Sequence, residues 1–98
     1  MRQELGFPKK PREKDPDYLK FIRSLHCSVS WCGVKSEPHH LVSRGAWGSD
    51  YTCVPLCRRH HSEVESIGPS EFEARWNLNL WREAHACLLK FIRETKGE

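Results

Sequence analysis

Apolar positions along the chain follow helical and strand periods in turn. Tyr18, Ile22 and Leu25 recur at helical spacing behind Asp15-Pro16-Asp17, which offers an N-cap acceptor, a first-turn proline and a further acid. That pattern predicts a helix ending before Cys27. Glu37 to Val42 and Thr52 to Leu56 instead read as short strands, the second apolar and β-branched, with Pro55 stopping it ahead of the next helix. Ser43 to Tyr51 lies between them, with Arg44 and Trp47 among its glycines. It is either the plain connection of a hairpin or a loop that holds phosphate or covers a site.

A helix from Cys57 would stop at Ser66-Ile67-Gly68-Pro69, and Ser70-Glu71-Phe72-Glu73 has the form of a capping box opening another, to about Trp76. Asn79 can cap a last helix from Leu80 to about Thr95. Its stripe of Leu80, Ala84, Leu88 and Phe91, with Cys87 alongside, is core rather than chemistry. Residues 1–14, rich in proline, lysine and arginine, read as a basic flexible arm, either solvated or lying on nucleic acid. Residues 15–98 form one α+β domain, since 98 residues in all leave room for no second core.

Composition changes the picture at one point. With 38% hydrophobic residues the core is modest, and a bound metal would help hold it. No run is apolar enough to cross a membrane and no signal-peptide pattern appears, so an intracellular protein without a membrane partner is expected. In such a reducing setting, five cysteines grouped with histidines read as ligands before disulfides. A net charge of +3 permits a phosphate-bearing partner without demanding one.

The candidate chemistry centres on Cys57-Arg58-Arg59-His60-His61-Ser62-Glu63-Val64-Glu65. At about 100° per residue, Cys57 and His60 look one way and His61 and Glu65 roughly a quarter-turn away. One helix could thus serve two metals. Cys27 and Cys32, across a turn with Gly33 at the knuckle, complete a tetrahedral zinc set with Cys57 and His60. Cys53 is then a buried strand residue, and Val29 and Trp31 are packing residues. Neighbouring strand positions point to opposite sides, so His39 and His40 would not share a metal. His26 and His85 read as structural or exposed.

The ordered set of helix, cysteine knuckle, Pro38-His39-His40, loop and Pro55-Leu56-Cys57-Arg58-Arg59-His60-His61 resembles the HNH nucleases. The likeness is to the phage-type branch with a zinc knuckle, whose Arg-Ser-Leu stretch is matched by Arg23-Ser24-Leu25, and it covers roughly Asp15 to Glu65. It implies a ββα-metal core flanked by an N-terminal helix and C-terminal helices, and a cytoplasmic protein of phage or prophage origin. It also implies that His40 is the general base and that His39 and His61 hold a catalytic ion. Glu65 stands where relatives often carry a histidine, which favours Mg²⁺ or Mn²⁺ over Ni²⁺ or Zn²⁺. The asparagine that names the family has no clear match; of Asp50 and Thr52, Asp50 is preferred, bracing the loop or orienting the base. Arg44, Arg58 and Arg59 are candidate phosphate contacts. The expected function is a metal-dependent endonuclease acting on nucleic acid, DNA before RNA, with little sequence specificity. The alternative is a zinc-stabilised nucleic-acid-binding module without activity.

Overall fold

The computed structural model describes residues 12–96. Four helices and a two-stranded antiparallel sheet make an α+β fold in the order α1 (Pro16–Arg23), β1 (Glu37–His40), β2 (Cys53–Leu56), α2 (Arg58–Ile67), α3 (Pro69–Trp76) and α4 (Leu80–Lys96). Short 3-10 turns at Arg44–Ala46 and Asp50–Thr52 carry the hairpin connection. Asp15 caps α1 by accepting from the Tyr18 amide, and Tyr18 and Ile22 are its buried face. The helix ends at Arg23, so Leu25 packs from just beyond it rather than on it.

All four residues of β2 are buried, because the strand is covered on both faces. Val54 and Leu56 join Val29, Val64, Phe72, Leu80 and Ala84, while Cys53 joins Tyr18, Ile22 and Cys87. Alternation along one strand therefore divides the core in two. Pro55 does not stop this strand, contrary to expectation. It pairs with Pro38, and the Leu41 amide donates to the Thr52 carbonyl, which makes 41/52 a bonded pair. Counting back, 38/55 falls at a non-bonded position of the ladder, where a proline forfeits nothing. Pro55 still offers its carbonyl outward, to the Ser28 amide at 2.8 Å, which stitches the cysteine knuckle to the strand.

Two other expectations are corrected. Residues 1–11 of the expected basic arm lie outside the described residues, but Arg12 is no loose cation: it donates to the Gly48 carbonyl at 3.0 Å and to Asp50 at 2.8 Å. Ser70 does not cap α3, which starts from Gly68 and Pro69 without a side-chain cap; Glu73 turns instead to the next helix and accepts from the Leu80 amide at 2.6 Å. Trp31 packs from the surface rather than in the core, touching Trp76 and His60 while 65% exposed, whereas Val29 is buried. The αL residue Asn77 ends α3, and Asn79 caps α4 through the Arg82 amide, as the sequence suggests.

Gly48 shows how tightly the hairpin loop is wound. It is buried, its amide donates to Ser43 O, and a Cβ placed there would meet the Val42 carbonyl oxygen at 1.8 Å. The obstacle is backbone, so the loop itself must move. Gly48→Ala is expected to cost about 3 kcal/mol in urea unfolding, the upper range for overpacking a fixed site. An unchanged midpoint would show that the loop gives way freely.

Candidate metal centre and active-site cleft

Cys57 is the N-cap of α2, its sulfur accepting from the His60 amide at 3.5 Å. The first turn then brings His60 Nδ1 to 3.2 Å from Cys57 Sγ, and the knuckle places Cys27 Sγ at 3.4 Å from the same nitrogen. Cys32 Sγ lies 3.9 Å from Cys57 Sγ, too far for a disulfide but close to the edge of a tetrahedron around zinc, about 3.5–3.8 Å from ordinary Zn–S and Zn–N lengths. Gly33 takes φ +66 immediately after Cys32, a conformation that suits glycine at the knuckle. These four side chains, three of them buried, could hold a structural metal ion, and soft thiolates with one imidazole suit zinc. Cys53 stands apart in the second core, as expected.

The thiols are not equivalent. Burial pushes Cys27 up to about 11. Burial also raises Cys57, but the His60 amide and the neighbouring thiols more than offset it, so Cys57 falls below the ordinary thiol value. A helix N-terminus favours negative charge, which acts on Cys57 in the same direction.

The other face of α2 meets β1. His39, His61 and Glu65 each offer a ligand atom within 4.8 Å of the others, and the His39 and His61 rings lie 4.7 Å apart. Burial, then the facing His61, pushes His39 down to about 4, so it remains the neutral imidazole that a metal requires. His61 Nδ1 sits 2.6 Å from Glu37, and a carboxylate only accepts, so the proton is on Nδ1. This leaves Nε2 on the Glu65 side, 3.3 Å from its carboxylate. Three donors leave positions open for water or substrate, and the donor types suit a divalent ion.

His40 points the other way along the strand, as alternation demands, and its Nε2 meets Asp50 Oδ1 at 2.8 Å. Asp50 is fully enclosed: Arg12 shares Oδ1 and the Asp15 amide donates to Oδ2, both at 2.8 Å. Burial works against its charge, but the bonds from His40, the Asp15 amide and Arg12 hold the carboxyl at about 2. His39, His40, His61 and Glu65 nevertheless line one cleft of about 680 Å³, with Arg44 at its rim. The hairpin loop thus both connects the strands and borders the cleft. Arg58 is beside it, 3.5 Å from Glu37, whereas Arg59 turns towards a separate groove with Trp76.

A family model described as "Protein of unknown function (DUF968)" matches residues 3–89, a span that contains both clusters. The chain belongs to the DUF968 family. It is also similar to the "Uncharacterized protein YdfU" of Escherichia coli (strain K12), 32% identical over 68 residues, which make up 63% of this chain and 19% of that one. The chain therefore spans about a fifth of that relative's length. No solved structure matches it. No helix among the described residues is long and apolar enough to cross a membrane.

Two residues that brace these clusters carry no sequence signal. Arg12 was read with the basic arm, and Glu37 as the opening of a strand; neither carries a motif. Glu37 could have been sought on one ground only, that a ligating histidine usually gives its second N–H to a carboxylate. On that ground Glu37→Gln is expected to weaken binding of Mn²⁺ at the cleft by about 10–100-fold without disturbing the thiolate site. Calorimetric titration of Mn²⁺ into both proteins would check this; equal affinities would remove Glu37 from the site.

Proposed function

We propose that the chain is an HNH-type, ββα-metal endonuclease that hydrolyses phosphodiester bonds of nucleic acid, DNA foremost, with His40 as the general base. What carries this reading is one juxtaposition: His40, braced from behind by buried Asp50, lines the same cleft as the open donor set of His39, His61 and Glu65. A zinc knuckle that served folding alone would call for neither.

The residues divide the work as phosphodiester hydrolysis requires. Because the Asp50 carboxylate can only accept, His40 Nε2 donates to it, and Nδ1 is left with the lone pair that takes a proton from the attacking water. Asp50 holds the ring in place and offsets the positive charge that His40 acquires. A divalent ion at His39, His61 and Glu65, Mg²⁺ or Mn²⁺ before Ni²⁺ or Zn²⁺, would supply charge opposite the phosphate and the departing oxygen. Arg44 at the rim and Arg58 near Glu37 are available to flanking phosphates, contacts that position a strand without reading its sequence.

Nicking of supercoiled plasmid in the presence of each ion in turn tests the reading. Relaxed product only in added metal is expected. An inert protein across Mg²⁺, Mn²⁺, Ni²⁺ and Zn²⁺ that still bound DNA would support the zinc-stabilised binding module instead.

A further inference from the structure

The two arginines that open α2 serve different sides of the helix. Arg58 stands by the cleft through Glu37, while Arg59 lines a groove of about 380 Å³ with His60, Glu63, Arg75 and Trp76. Above Trp76 stands Trp31 of the cysteine knuckle, its ring centre 5.5 Å away and tilted by 59°. Trp31 is 65% exposed although Val29, two residues earlier, fills the core for the same turn. Its inner edge rests on Trp76 and His60, and most of the indole is left open to solvent. The platform is nonetheless held firmly: Trp76 Nε1 donates to Glu63, Arg75 neutralises Glu63, and the His60 ring packs 4.9 Å from Trp76. Among the described residues Arg59 makes no ion pair, so the groove presents aromatic faces beside an uncommitted cation.

We propose that the exposed Trp31 indole, resting against Trp76 at the edge of this groove, is a stacking subsite for an unpaired nucleobase, with Arg59 on the adjoining phosphate. The proposal rests on the nucleic-acid reading above and adds to it a preference for single-stranded or locally opened substrate. The chemistry is general: every base has a π-face, and indole offers a partner for it, with arginine adding a cationic contact. A base inside a duplex is already stacked on both sides and has no face to offer. The placement also fits a continuous strand. The groove and the cleft lie on opposite sides of α2, a helix about 10 Å thick, and Arg58 sits near the first turn between them. A strand crossing that end of the helix would meet Arg58 and Arg59 in turn.

The test compares zinc-loaded wild type, Trp31→Ala and Trp31→Phe by fluorescence anisotropy, with no other divalent metal added. The probes are a labelled single-stranded oligonucleotide and a duplex of the same length. Loss of one stacking partner should weaken single-strand binding about 10-fold in Trp31→Ala, with Trp31→Phe within about threefold of wild type and duplex affinity unchanged. Zinc content and thermal midpoint, measured on each variant, should stay at wild-type values because the side chain is mostly exposed. Equal single-strand affinity in Trp31→Ala, an equal loss on duplex, or no oligonucleotide binding by wild type would each overturn the subsite. Plasmid nicking separates this from the nuclease reading. Nicking with Trp31-independent binding sinks only the subsite, and Trp31-dependent binding by a protein that never nicks upholds the subsite and sinks the nuclease.

Discussion

Cys32→Ser is expected to strip the chain of its structural metal and unfold it. Three sulfurs and one imidazole nitrogen converge with separations of 3.2–3.9 Å between the Cys27–His60, Cys57–His60 and Cys32–Cys57 pairs. Without the ion, the knuckle would hold buried or half-buried thiols against one another, with only weak bonds among them. With zinc, the same groups close the link between the knuckle, the start of α2 and the strand core, and binding energy becomes folding energy, about 10 kcal/mol or more in small zinc domains. That exceeds the whole stability of many domains this size. Wild type should hold about one zinc per chain through purification. Cys53→Ser tests the ligand assignment from the other side. It buries a hydroxyl where a thiol packed against Tyr18 and Ile22, at about 1–3 kcal/mol, yet should leave zinc content unchanged. Metal analysis beside circular dichroism decides between them. No zinc in wild type, or zinc lost from Cys53→Ser, would overturn the assignment.

On the nuclease reading, His40→Ala should leave zinc content unchanged and abolish most of the turnover. The side chain belongs to neither possible ligand set; among the described residues its hydrogen bond is to Asp50. Removing a general base typically lowers the rate by about 10²–10⁴-fold, and DNA affinity should barely change because the phosphate-facing arginines remain. Cleavage by the two proteins is compared in saturating metal at one fixed pH. Asp50 is charged at such a pH, its carboxyl lying at about 2, so it can still brace the His40 ring. Equal rates in the two proteins would dismiss His40 as the base.

Much of the site was legible because its spacings are local. Cys57 and His60 share one turn, and 100° per residue sends His61 and Glu65 to another face whatever the rest of the chain does. Alternation along β1 likewise separates His39 from His40 before any packing is known. Asp50 could be chosen only by region, and the structure adds the 2.8 Å bond to His40 that gives it a definite atom to act on. Arg12 and Glu37 were beyond reach. Arg12 meets Asp50 across 38 positions and Glu37 meets His61 across 24, so each contact exists only after α1 has docked against the hairpin loop and β1 against α2. Trp31 shows a different limit. Its residue type predicts packing, but Val29 already occupies the core position of that knuckle, and the indole packs from outside against Trp76. Short-range geometry therefore determined which atoms could ligate and on which face. Tertiary packing decided which charges brace them, because a long side chain finds its partner only when separate elements have been brought together.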